Sequence, residues 1–67
     1  MNIKDVGESL RQRRKYLKLT QQELSDLAEV NINTVVAVER GEGNPKVKTI
    51  EDMANVLGME LFVRIKD

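Results

Sequence analysis

The stretch spanning residues 20–41 places the tightest limits on how this chain can fold. Thr20 and Glu23 form a Ser/Thr-x-x-Glu capping box, in which the hydroxyl accepts from the amide of residue 23 and the carboxylate accepts from the amide of residue 20. The box predicts that a helix begins at Thr20 and ends near residue 28. Apolar residues at helical spacing should form its buried stripe, namely Leu24, Leu27 and Ala28.

A second helix signal follows almost at once. Glu29 and Val30 make a short connection, and Asn31 is a residue type that often caps a helix N-terminus. This helix should run through Arg40, because Gly41 can end it in a left-handed conformation. Its inward side is predicted to be Val35 and Val38.

Two further helices should flank this pair. Apolar residues recur at intervals of three, four and seven and predict a helix over residues 3–17, through Ile3, Val6, Leu10 and Leu17. Residues 42–48 are turn-forming and contain the single proline, so they predict a loop. A fourth helix should open at Lys48 or Thr49 and close at Gly58, with an apolar face of Ile50, Met53, Ala54 and Leu57.

The last nine residues, 59–67, change to a period of two, which is typical of a strand. A single strand in a helical chain has unpaired backbone groups that another chain can pair with. We therefore expect the same strand of a second copy to pair with it antiparallel in a homodimer. The dimerisation residues predicted from this alternation are Met59, Leu61, Phe62, Val63 and Ile65.

Length and composition narrow the classes of function. A chain of 67 residues is one small domain with a thin core, for which a partner subunit is a common source of stability. It contains no Cys and no His, which removes the thiolate and imidazole groups that most metal sites and nucleophilic enzymes use. We therefore expect no catalytic residues, no metal site and no cofactor.

The N-terminus lacks the apolar centre of a signal peptide and no apolar run could span a bilayer, so we expect a cytoplasmic protein. Eleven basic residues balance eleven acidic ones, whereas nucleic-acid-binding domains usually carry a basic excess. The charge is uneven, however, because cations cluster early in the chain. Cations at the end of the first helix would complement its dipole, and they could equally attract phosphates: Arg11, Arg13, Arg14, Lys15 and Lys18.

Two short helices joined by a tight turn form a helix-turn-helix, in which the second helix enters the DNA major groove. Over residues 5–58 the chain closely resembles the lambda-repressor/Cro/Xre family. The resemblance rests on residues at the family's separations: Thr20, Gln21, Glu23, Leu24, Val30, Thr34, Val35, Val38, Glu39, Arg40, Gly41, Pro45, Thr49, Ile50, Met53, Ala54, Leu57 and Gly58. It implies a mainly α fold, a four-helix lambda-repressor-like DNA-binding domain over residues 1–58, to which residues 59–67 add the dimerisation strand.

The resemblance also implies which residues contact DNA. Gln21 matches a position that grips a phosphate, and Thr20 and Arg40 match other backbone-contacting positions. Positions that face base edges are occupied by Asn31, Ile32, Asn33, Val36 and Ala37. Asn33 is the main candidate for a direct base contact, since an Asn amide can pair with adenine N6 and N7. Asn31 fits a plain N-cap better, and Val36 and Ala37 could instead be buried against a neighbour.

The resemblance further implies an ion pair, Arg14 with Glu39, that links the first helix to the end of the third. Two positions depart from the family pattern. Glu29 stands at a turn position commonly held by Gly, where a positive φ would cost about 1 kcal/mol. Leu27 stands where the family usually has a solvated polar residue, so either the register shifts or the side chain contacts a partner.

Four helices followed by an alternating strand also resemble the HipB-like antitoxins. That resemblance implies a transcriptional repressor of its own operon, a double-stranded DNA operator, a homodimer and a HipA-like kinase toxin as partner. One alternative is a phage or plasmid Cro-like regulator without a toxin. The other is a protein-interaction module that has kept the fold without binding DNA.

Overall fold

A computed structural model describes residues 2–66 and contains four α-helices, Ile3–Tyr16 (α1), Gln21–Ala28 (α2), Ile32–Arg40 (α3) and Val47–Val56 (α4). The predicted four-helix body is confirmed. None of these four helices, within residues 2–66, is long and apolar enough to cross a membrane. Met1 and Asp67, which belonged to the predicted domain and the predicted strand, lie outside the described residues.

The predicted helix boundaries hold closely for the first three helices. Thr20 is the N-cap of α2, and both hydrogen bonds of the capping box are present. Asn31 caps α3 by accepting from the amide of Asn33 at 2.8 Å. Gly41 ends α3 in the left-handed region with a φ of 71°. Local capping chemistry is therefore sufficient to locate these helix ends.

The start of α4 corrects a prediction. The helix begins at Val47, one to two residues before the predicted Lys48 or Thr49, and its N-cap, Lys46, makes no side-chain capping bond. The preceding loop is correspondingly shorter than residues 42–48. Because nothing in the side chains caps this helix, a search for cap residues places its start too late.

One core lies between all four helices. Its best-buried side chains come from α2, α3 and α4 and from the residue after α4: Leu24, Val35, Val38, Met53 and Leu57. Leu10 and Ile50 also lie in this core, whereas Leu27 does not. The prediction that Leu27 is buried is wrong, because its side chain is 61% exposed on the outer side of α2.

Helix α1 packs tightly against α3 through a glycine. A Cβ at Gly7 would overlap the carbonyl oxygen of Val38 and lie 3.1 Å from its carbonyl carbon. At the same end of α3, a Cβ at Gly41 would lie 2.8 Å from the Cα of Lys4. Because glycine has no side chain, the backbones of α1 and α3 can touch directly at these two positions. This close contact fixes the position of α3.

The C-terminal tail, residues 59–66, is not a strand in the single chain. Met59 donates its amide to Ala54 at 2.8 Å, and Met59 and Leu61 pack against the core. Beyond them every tail residue is exposed. A strand needs a neighbour for its backbone, and residues 2–66 of one chain supply none, so pairing between two copies stays a prediction.

Candidate nucleic-acid interface

The N-terminus of α2 presents free backbone donors. Thr20 Oγ1 accepts from Glu23 N at 3.0 Å, and the Thr20 carbonyl accepts from Leu24 N. Among residues 2–66 the structure shows no acceptor for the amides of Gln21 and Gln22. Two donors at the positive end of a helix dipole are suited to an anionic oxygen such as a DNA phosphate.

A buried network holds this helix end against α1 and α3. The structure contains the Arg14–Glu39 ion pair, with Arg14 Nε 2.7 Å from Glu39 Oε2 and Arg14 Nη2 2.9 Å from Glu39 Oε1. Arg14 Nη1 also donates to the carbonyl of Leu19 at 2.8 Å. One guanidinium thus joins the end of α3 to the segment that enters α2.

Gln21 belongs to the same network. Its Nε2 donates to Glu39 Oε1 at 3.1 Å, and the side chain is half-buried. The sequence places Gln21 at a phosphate-gripping position but gives no sign of this internal bond. Because an amide nitrogen carries two hydrogens, one can hold Glu39 while the other remains for an external acceptor.

The network contains a charged guanidinium whose hydrogen bonds stabilise its charge. Its hydrogen bonds to Glu39 raise the pKa of the Arg14 guanidinium above its ordinary value, and burial opposes this only in part. The guanidinium therefore stays charged at every pH at which a folded protein is handled. Both partners are almost fully buried, so their geometry is fixed rather than averaged by solvent.

Helix α3 presents a mixed polar and apolar surface away from the core. Asn31 is occupied as the N-cap, so the simpler of its two predicted roles is the one present in the structure. The side chain of Asn33 is exposed and makes no hydrogen bond within residues 2–66. The other candidate base-facing residues are half-buried and are not among the side chains packed against the core: Ile32, Val36 and Ala37.

A shallow hollow of about 290 Å³ lies beside this surface. Asn33 and Ala37 line it from α3, and Gly43, Asn44 and Pro45 line it from the loop before α4. Sequence reasoning assigned no role to the loop, although its Gly and Asn residues are a signal of an irregular, exposed backbone. The structure brings the loop and the start of α3 together on one face.

Ser25 is another positioning residue that sequence reasoning missed. Its buried hydroxyl donates to the carbonyl of Val30, and its own carbonyl accepts from the amide of Val30 at 3.0 Å. These bonds close the turn between α2 and α3. Within the turn Glu29 adopts a φ of 56° and a ψ of 43°, so the left-handed geometry is kept without a glycine.

The charge of this region is unfavourable for DNA. Residues 20–44 contain five carboxylates and one guanidinium, that of Arg40. Two of the early cations are used internally, since Arg14 pairs with Glu39 and Arg13 Nε donates to the carbonyl of Leu57 at 3.0 Å. Lys15 and Lys18 are exposed and form no ion pair among residues 2–66, so they remain for phosphates.

A capped helix, a tight turn and a second helix held at a fixed angle by buried contacts define a helix-turn-helix protein. A sequence model described as "Helix-turn-helix" matches residues 10–63. The chain belongs to this family, in its lambda-repressor/Xre form. It is also similar to an immunity repressor protein of Bacillus phage phi105, with 34% identity over 56 residues. These residues are 84% of this chain but 39% of the phage protein, so the chain spans well under half of that relative.

Proposed function

We propose that this protein is a sequence-specific DNA-binding transcriptional repressor, with α3 in the major groove and the N-terminus of α2 on the phosphate backbone. The observation that carries the proposal is the Arg14–Glu39–Gln21 network, which fixes both contacts relative to each other. Family membership and similarity to a phage immunity repressor support it. Thr20 and Arg40 would add backbone contacts beside Gln21.

Base reading would depend chiefly on Asn33. Its exposed amide has no internal partner among the described residues, so it can pair with an adenine edge without breaking a bond. Ile32, Val36 and Ala37 can offer only apolar contact, which suits thymine methyl groups. With one polar reader per helix, DNA shape and deformability would carry much of the remaining preference.

A monomer of zero net charge, with Arg40 as the one cation in residues 20–44, makes few phosphate contacts. We therefore further propose that two copies bind one pseudo-palindromic operator. Their two recognition helices would lie roughly 34 Å apart, which is one turn of DNA. Linking two half-sites raises affinity through effective concentration and compensates for the low positive charge. The tail would provide the link between the copies.

Selection of bound duplexes from a random pool, followed by gel shifts at two salt concentrations, tests this function. We expect one preferred sequence and binding that weakens as salt rises. Asn33→Ala should relax discrimination at one base position by about 1–3 kcal/mol, whereas Gln21→Ala should weaken all sequences alike. Asn55→Ala is the matched control, because Asn55 is an exposed residue of α4.

An unchanged preference in the Asn33 variant would reject the assigned base contact. Complete absence of salt-sensitive binding would instead favour a protein-interaction module, which the zero net charge and the apolar part of α3 make the second candidate. We propose no catalytic role and no cofactor, because the chain lacks the His and Cys on which most such sites depend.

The setting of the repressor has two candidates. The similarity to a phage immunity repressor favours a phage-type regulator. An antitoxin that binds a HipA-like kinase toxin rests on the alternation of the tail alone. Co-expression with the product of the neighbouring reading frame separates them, since an antitoxin should co-purify with a kinase and a phage-type regulator should not.

A further inference from the structure

The tail carries apolar side chains that nothing in the single chain covers. Val63 is 86% exposed and Ile65 is 93% exposed, although both continue the parity of Met59 and Leu61, which pack against the core. Among residues 2–66 the structure shows no backbone hydrogen bond to residues 60–66. In the single chain, this segment therefore has apolar side chains that are not buried and backbone groups that are not hydrogen-bonded.

An apolar groove continues from the tail onto the body. A hollow of about 400 Å³ lies between α1, α4 and the tail, and its lining includes the apolar residues Val6, Leu10 and Leu61 and the acidic residues Asp5 and Glu60. A second hollow joins Val6 directly to residues 60–66. The groove end is acidic, whereas the far end of the tail carries Arg64 and Lys66.

This separation of charge makes the tail complementary to itself in the antiparallel direction. In a two-fold antiparallel pair one residue faces its own copy, and the others pair symmetrically around it. If Val63 is the residue that faces its own copy, Glu60 of one chain faces Lys66 of the other and Leu61 faces Ile65. If the pairing were centred on Arg64 instead, the two Arg64 guanidinium groups would face each other and repel.

A pair centred on Phe62 would also bring opposite charges together, by placing Glu60 against Arg64. However, strand pairing cannot extend back past Glu60, because Gly58 has a φ of 69° and the Met59 amide already bonds to Ala54. The Phe62 register therefore pairs only residues 60–64. The Val63 register pairs all seven residues from 60 to 66.

We propose that residues 60–66 of two copies pair antiparallel about Val63, so that Ile65 and Lys66 of the second copy lie against Leu61 and Glu60 at the groove beside α1. Two strands alone are only marginally stable in water. The apolar groove lined by Val6 and Leu61 supplies the layer on which the ribbon can pack. This inference rests on the proposed function, in which the tails join two copies on one operator, and it specifies the register in which the tails pair and the groove on which they pack.

Charge reversal tests the register, by sedimentation of the full chain without DNA. Glu60→Lys alone and Lys66→Glu alone should each weaken self-association roughly tenfold, since both replace attraction by repulsion at two symmetric positions. An equimolar mixture of the two variants should regain the original association, because every facing pair is again of opposite sign. Glu42→Lys, an exposed loop change outside the tail, should have no effect.

A mixture that associates no better than either variant alone would overturn the proposal, as would an unmodified chain that stays monomeric at the highest concentrations reached. Disulfide cross-linking gives a second readout. Because the chain contains no cysteine, a single introduced cysteine can pair only with its copy in a second chain. Val63→Cys should oxidise to a covalent dimer, and capture by Phe62→Cys instead would reject the Val63 register. Circular dichroism checks that each variant keeps its helices. Because no DNA is present, failure here is distinguishable from failure of operator binding.

Discussion

The contact between α1 and α3 and the C-terminal tail place similar apolar residues in opposite surroundings. Val38 of α3 is fully covered, with its backbone against Gly7, whereas Val63 of the tail is exposed on every side. A helix satisfies its own backbone hydrogen bonds and needs only an apolar neighbour for one face. An extended segment needs another backbone as well as an apolar neighbour, so the single chain completes α3 and leaves the tail incomplete.

Loss of the buried cation should have the largest effect on the α1–α3 contact. Arg14→Ala leaves Glu39 buried without its partner, which costs about 4 kcal/mol. A domain of this size has a total stability of roughly 3–10 kcal/mol, so the variant should lose about 40% of its stability or more. Urea titration followed by circular dichroism measures the change.

The double variant Arg14→Met with Glu39→Leu is the control. Replacing a buried ion pair by apolar residues of similar volume is often neutral or stabilising, so this variant should be more stable than Arg14→Ala. If Arg14→Ala proved more stable than the double variant, an uncompensated buried carboxylate could not be the reason why Arg14→Ala loses stability.

The next effect should come from the glycine at the same contact. Gly7→Ala adds a methyl group where Val38 already places its carbonyl oxygen, and moving the helices apart should cost about 2–3 kcal/mol. Ser9→Ala, at an exposed position of α1, adds no such overlap and should be neutral or slightly stabilising. Thermal unfolding compares the stability of the two variants. Equal stability would mean that α1 and α3 can move apart without any loss of folding free energy.

Much of this body could be predicted because its signals are local. The Thr20 box, the Asn31 cap and the Gly41 end each involve residues within a few positions of one another, and each fixes a helix boundary. The start of α4 was missed because Lys46 contributes no side-chain cap. Boundaries without local chemistry depend on tertiary packing, which a single sequence does not contain.

The candidate interface was predictable in part for the same reason. Family spacing assigned DNA contacts to Gln21 and Asn33, and these contacts stay a prediction. It gave no sign of the bond from Gln21 to Glu39, because that bond joins residues 18 positions apart. The roles of Gly7 and Ser25 likewise depend on what lies opposite them in space. Leu27 was misplaced because helical spacing shows which residues share a face and does not show how wide the neighbouring surface is.

A smaller effect should come from strain inside the body. Glu29 holds a left-handed conformation that costs a non-glycine residue about 1 kcal/mol. Relief of this strain by glycine is partly offset, because glycine loses more conformational entropy on folding than glutamate does. Glu29→Gly should therefore stabilise the fold by about 0.5 kcal/mol. Glu42→Gly, at an exposed residue without positive φ, should destabilise it slightly, and urea titration of the two variants compares them. Destabilisation by Glu29→Gly would show that the turn carries no such strain.

The tail should contribute least to the stability of one chain. Deleting residues 62–67 removes a segment whose described side chains, residues 62–66, are exposed in the monomer. At high dilution the free energy of unfolding should therefore change by less than about 0.5 kcal/mol. At rising concentration the full chain should gain stability, because association with a second folded copy favours the native state. The shortened chain should show no such gain. Thermal melts over a dilution series measure both effects, and a loss that is equally large at every concentration would mean that the tail stabilises its own chain as α1 does.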